Sequence, residues 1–160
     1  LDYVATHKFF IHNALFDVRF FQEEGIPFVD CICTMTMYTT VLRAHYSDSK
    51  KYSSKLGACV RNLFRVDIDK SEGSSDWSRD ELEESQLTYA AHDAYWVYKI
   101  GEKLSKDPAV RTDNFRLTTD VLNAICRIIR SGIYIDVHKL KENIKNWETL
   151  ASAALEEGDK

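Results

Sequence analysis

Residues 8–25 read KFFIHNALFDVRFFQEEG, and the pattern changes character halfway along. Lys8–Ile11 is a short aromatic and aliphatic run of the kind a buried strand presents. From Ala14 the spacing turns helical, and Gly25 and Pro27 supply the stop signals that place the end of that helix near Glu24. Between the two elements stands His12-Asn13, and Asp17 follows Asn13 at a distance of four. Two explanations fit an Asn and an Asp at such a junction. Asn13 can cap free backbone donors and Asp17 can sit well in a first helical turn. Alternatively, Asp17 is a carboxylate delivered to a strand end as a metal ligand.

Outward from this stretch the strand-then-helix alternation repeats. FVDCI (28–32) is a second strand candidate, Cys33–His45 a helix, and YSDSKKYSS (46–54) a polar loop. Lys55–Phe64 reads as a short helix capped by Ser53 or Ser54. After the irregular DIDKSEGSSD (67–76), Ser78 and Glu81 form an S-x-x-E capping box, which predicts a helix running to about Leu104. SKDPAV (105–110) is the clearest linker, broken by Pro108. Beyond it Leu117, Val121, Leu122, Ile125, Ile128 and Ile129 keep helical spacing up to Gly132. IYID is extended, and Asp136 caps a last helix carrying Leu140, Ile144, Trp147 and Leu155. The expected architecture is therefore an α/β unit to about residue 107 and a helical segment over 108–160.

Composition limits the functional classes. The 160 residues are 44% hydrophobic, enough for one core and a small appendage. No apolar run approaches the ~18 residues of a membrane span, and the N-terminus lacks a signal-peptide layout, so an intracellular address is expected, in the cytoplasm, at the nucleoid or in an organelle. Cys31, Cys33, Cys59 and Cys126 have neither disulfide-framework nor zinc spacing. A net charge of −4 argues against gripping nucleic acid by bulk charge. The charge is uneven, however. Residues 43–65 hold six basic side chains and one acid, a strip able to track phosphates, whereas residues 67–84 hold eight acids against Lys70 and Arg79.

YAAHDAYWVY (89–98) lies inside the long helix, and Tyr89 and Asp93, four apart, share one face. Asp is a mediocre residue for a helix interior, so its place beside a tyrosine needs a reason. A solvated acid next to a core tyrosine is one. The other pairs Asp93 with Asp17: two hard oxygen ligands suit magnesium or manganese and metal-assisted phosphate-ester hydrolysis, with the phenol orienting the attacking water.

HNALFD and YAAHD resemble the second and third motifs of the 3′→5′ exonucleases that use four acidic residues, in the branch with a tyrosine in the third motif. SDWSRDELEESQLTYAAHDA is similar to the corresponding stretch of ribonuclease D and of the proofreading domains of family-A DNA polymerases. The resemblance, over about residues 8–105, implies a ribonuclease-H-like α/β fold, two Mg2+ or Mn2+ ions, and hydrolysis of single-stranded DNA 3′ ends or of RNA. It implies Asp17 and Asp93 as metal ligands, Tyr89 as the water-orienting catalytic residue, and His12, Asn13 and Phe16 on the substrate side, with Phe16 packed beneath the motif. The family's first motif, an Asp-x-Glu, is not among the eleven residues before His12. A partial domain lacking N-terminal strands, hydrolysing weakly by itself, is therefore expected. VLNAICRIIRSGIYIDVHKL (121–140) resembles the junction at which a family-A polymerase leaves its exonuclease domain, implying the remainder of a polymerase as partner. Two alternatives stand beside that reading: a ribonuclease-D-like RNA exonuclease, and a silent exonuclease fold that only binds nucleic acid. Of the remaining candidates, Trp77 is expected to pin the acidic loop, and Trp96 and Tyr98 to lie in the core.

Overall fold

The computed structural model describes residues 3, 6–26, 29–48, 51–69 and 71–158. Pro27, Phe28, Lys50 and Lys70 therefore lie outside the described residues. The chain divides into two compact units, residues 1–130 and 131–160.

The first unit is mostly helical around a small parallel sheet. Strand β1 (Phe9–Ile11) leads through His12 and Asn13 into helix α1 (Ala14–Glu23), and the chain returns to strand β2 (Cys31–Cys33). The register pairs Phe9 with Cys31, Phe10 with Ile32 and Ile11 with Cys33. Gly25 takes a φ of +87°, which ends α1 where the sequence predicts. The second strand begins at Cys31, later than FVDCI suggests. It runs directly into α2 (Thr34–His45), followed by α3 (Leu56–Phe64) and the long α4 (Glu84–Leu104).

Two capping expectations are corrected. Ser53 Oγ accepts from the Lys55 N–H at 3.3 Å, one residue before α3, whose N-cap is Lys55 with no side-chain cap bond. Likewise α4 opens at Glu84 and not after Ser78. Gln86 Oε1 reaches back to the Glu83 N–H at 2.9 Å while its Nε2 donates to Ser75 Oγ and the Asp76 carbonyl, both at 3.0 Å. Ser78 is already engaged, with its hydroxyl 2.6 Å from Asp76 Oδ1.

One core cluster joins Met37, Tyr38 and Leu42 of α2 to Cys59 and Val60 of α3 and Ile100 and Leu104 of α4. The other joins Ala14 and Val18 of α1 to Val29, Cys31, Leu122 and Cys126. Trp96 packs half-buried on Phe64, but Tyr98 is 57% exposed, so it is not the core residue its spacing implies. The apolar run after Pro108 forms two helices, α5 (Asp113–Asp120) and α6 (Leu122–Ser131), with Val121 between them. Phe115, Leu122, Asn123 and Cys126 turn inward, leaving Leu117, Ile125 and Ile128 largely outside. In the second unit Asp136 caps α7 (Val137–Gly158) as expected, its carboxylate accepting from the Lys139 N–H at 3.0 Å. No helix among the described residues is long and apolar enough to cross a membrane.

The α4–β1 contact is close. A Cβ built on Gly101 would stand 2.5 Å from Cγ of Phe10 and 2.6 Å from both Cδ atoms. These are atoms at the root of a ring, which cannot step aside as a flexible chain end does. Ala ordinarily gains about 1 kcal/mol over Gly in a helix interior. Overpacking costs about 1–3 kcal/mol. Gly101→Ala is therefore expected to lower unfolding free energy in urea, with an unchanged denaturant slope. A more stable variant would show that the ring yields freely.

Candidate active-site cleft

The exit from β1 is fixed by His12. Its Nε2–H donates to the Ser54 carbonyl at 2.9 Å, and its Nδ1 lies 2.9 Å from the Thr34 hydroxyl. One ring thus ties the strand end to the start of α2 and to the loop before α3. Asn13 follows in the left-handed region, at φ 62° and ψ 48°, with no side-chain cap bond. Asn tolerates this conformation better than most residues, so its local role is to turn the backbone and not to cap it. Within α1 the spacing of Ala14, Val18 and Gln22 faces the core. Phe16 accordingly faces out, 58% exposed and edge-on to Phe20 at 5.0 Å, not beneath the motif as expected.

Asp17 is half-buried and lines a cleft of about 680 Å³. Asp93, 76 residues later on α4, lines the same cleft. Its walls also include Lys8, Phe10, His12, Leu56 and Tyr98. Burial pushes the Asp17 carboxyl above its ordinary pKa, its own backbone N–H acting weakly in the opposite sense. Among the described residues no basic side chain forms an ion pair with it, since nearby Lys8 engages Asp30 at 3.4 Å. A carboxylate desolvated without a cation has the donor chemistry that a hard divalent ion satisfies.

Tyr89 does not line this cleft. It faces a neighbouring one of about 740 Å³, in which Asp93 also takes part, along with Asp67, Asp69, Glu72 and Glu84. Its ring lies 6.0 Å from that of Trp77, and its hydroxyl would stand 3.2 Å from a Cβ on Gly73. Trp77 does pin the acidic segment, donating from Nε1 to the Glu72 carbonyl at 3.1 Å. Asp93 is thus the residue common to both clefts, reached by Asp17 from one side and by Tyr89 from the other. Cys31 and Cys59 are poorly suited to act as thiolates, for burial drives their thiols up to about 12.

Sequence reasoning singled out Asp17, Asp93 and His12 but missed Lys8, Phe10 and Tyr98 as walls of the cleft. A signal existed only for Phe10, in the apolar run KFFI. Lys8 and Tyr98 become neighbours of the acids through the packing of α4 on β1.

Comparison with known proteins gives the same stretch of chain a lineage. A 3′-5′ exonuclease family model matches residues 4–108, which takes in β1, α1, β2 and all of α4. DNA polymerase I of Aquifex aeolicus (strain VF5) is 22% identical over 166 aligned positions, covering 91% of this chain and 28% of that protein. The chain thus spans little more than a quarter of the length of this relative. With both carboxylates, the tyrosine and the strand between them inside the matched segment, the chain belongs to the 3′-5′ exonuclease family.

Proposed function

We propose that this chain carries part of the catalytic cleft of a proofreading exonuclease of a family-A DNA polymerase, built on a ribonuclease-H-like fold. The substrate is the single-stranded 3′ end of DNA. The observation that supports this reading is that Asp17 and Asp93, distant in sequence, line one cleft. Residues 1–107 form the exonuclease part and 108–160 lead into the polymerase region, in keeping with a family match that ends at residue 108.

Asp17 and Asp93 would hold divalent ions, Mg2+ or Mn2+. Such ions, when bound, polarise the phosphodiester, lower the pKa of the attacking water and neutralise the leaving 3′ oxygen. The protein's own contribution is geometric. His12 holds the turn that aims α1, Asn13 and Phe16 meet the terminal nucleotide, and the Tyr89 hydroxyl orients the incoming water along the P–O bond that breaks.

Divalent binding tests this directly. The unaltered chain is expected to bind Mn2+ in calorimetry, and Asp17→Asn or Asp93→Asn to weaken it at least about tenfold, as loss of a charged ligand requires. Equal Mn2+ binding by all three would remove the site.

The raised Asp17 pKa adds a stability signature. Above its ordinary value of 3.8 the folded state retains a proton that the unfolded state has released. Stability therefore falls as pH rises from 3.8 through the raised folded value, and stays reduced beyond it. In EDTA at neutral pH, Asp17→Asn should melt higher than the unaltered chain, and the gain should vanish below pH 3.8. A melting point lowered at neutral pH would mean that the carboxylate is stabilised by the fold.

A further inference from the structure

The basic strip over residues 43–65 has an aromatic centre. Tyr46, the residue that ends α2, and Tyr52 are 52% and 43% exposed, and their rings stand 5.7 Å apart at 49°. Arg43 lies in the last turn of α2, one turn before Tyr46, and Lys55 is the N-cap of α3. Neither forms an ion pair among the described residues, whereas Lys51 engages Asp48. Two residues beyond Tyr52, the Ser54 carbonyl receives the His12 Nε2–H, and His12 and Leu56 both line the cleft of Asp17 and Asp93. Through Ser54 the segment that carries Tyr52 is thus tied to the strand exit beside that cleft. The neighbouring cleft, with Asp67, Asp69, Glu72 and Glu84, is acidic and repels a polyanion.

We propose that Tyr46 and Tyr52, flanked by Arg43 and Lys55, form a stacking platform that holds single-stranded nucleic acid several nucleotides away from the cleft. This rests on the exonuclease reading above and extends it to a second contact on the strand. The rings take bases of any sequence, because every base presents a π face, while Arg43 and Lys55 meet phosphates. Nothing in such a platform tests for a 2′-hydroxyl, so DNA and RNA strands should be held alike.

The test is fluorescence anisotropy with fluorescein-labelled oligothymidylates, a tetramer confined to the cleft and a dodecamer able to reach the platform. The unaltered chain should bind the dodecamer at least about tenfold more tightly, given the usual contribution of base–aromatic stacking. Tyr46→Ala with Tyr52→Ala should remove most of that advantage and leave the tetramer unaffected. Tyr46→Phe with Tyr52→Phe should keep it, since the ring faces remain. Arg43→Gln and Lys55→Gln should each reduce the salt slope of dodecamer binding by about 0.7. These charge variants decide the matter even if the double alanine variant fails to fold. An oligouridylate dodecamer should bind as the thymidylate does.

Dodecamer binding that survives both alanines, or a salt slope that ignores Arg43 and Lys55, overturns the platform. So does a dodecamer bound no better than the tetramer, or a strong preference for one sugar. Mn2+ binding by Asp17 and Asp93 involves neither tyrosine. Its loss in the unaltered chain would sink the cleft reading, and its persistence alongside a failed platform would sink only the latter.

Discussion

Tyr89→Phe is expected to slow single-turnover hydrolysis of a single-stranded 3′ end about 10²- to 10⁴-fold in the complete protein, the range for loss of a positioned proton-handling or orienting group. Stability should change by about 1 kcal/mol or less, because one hydroxyl is removed and the ring volume stays. The phenol stands beside Gly73 and faces the cleft it shares with Asp93, one helical turn away. That placement supplies a second test. Gly73→Ala would put a methyl group 3.2 Å from the hydroxyl and displace it by a few tenths of an ångström. The same change should slow the unaltered enzyme and add nothing in the Tyr89→Phe background. Unchanged turnover with a lowered melting point would make Tyr89 an anchor of the acidic segment and not part of the chemistry.

Asn123→Ala is expected to give the largest loss of stability. Its side chain, 6% exposed, accepts from the Val29 N–H and donates to the Val29 carbonyl, both at 2.9 Å. Truncation leaves two buried backbone groups without partners, at about 1–3 kcal/mol each. A total of about 2–6 kcal/mol is a large share of the 5–15 kcal/mol that holds a typical domain. Asn123→Asp keeps the acceptor, and a protonated carboxyl also offers an O–H to the Val29 carbonyl, so at acid pH its loss should be smaller than that of the alanine variant. A urea midpoint for Asn123→Ala within error of the parent would show that water replaces both bonds.

The contrast between Asp17 and Asn123 shows where the sequence is readable. Asp17 lies in a short motif whose neighbours, an apolar strand and a helix with a glycine stop, declare themselves by period alone. Asn123 sits in a stretch whose helical spacing is plain, but its partner Val29 is 94 residues away, and no local pattern carries that information. The same limit explains α6. Periodicity identifies a helix, whereas which side is buried depends on what it packs against, and Leu122 and Cys126 face the core while Ile125 and Ile128 do not. The start of α4 departs from expectation for a more local reason. Two successive stretches, 78–81 and 83–86, each have capping chemistry, and the contest is settled by Gln86 holding Ser75 and Asp76 as well as the Glu83 N–H. Tyr89 and Asp93 are legible as neighbours on one helix face, but that Asp93 also looks into a second cleft, with Asp17, is not.

The Gly101–Phe10 contact also sets a pivot. Asp93 lies eight residues before Gly101 on the same helix, about 12 Å along its axis. With α4 seated on the Phe10 ring at that point, each degree of tilt sweeps Asp93 sideways by about 0.2 Å. For the proposed ion-binding role, which tolerates about 0.5 Å of misplacement, the lever permits little more than two degrees. A missing methyl group near the end of a helix thereby bears on the separation of two carboxylates, one of them midway along that helix.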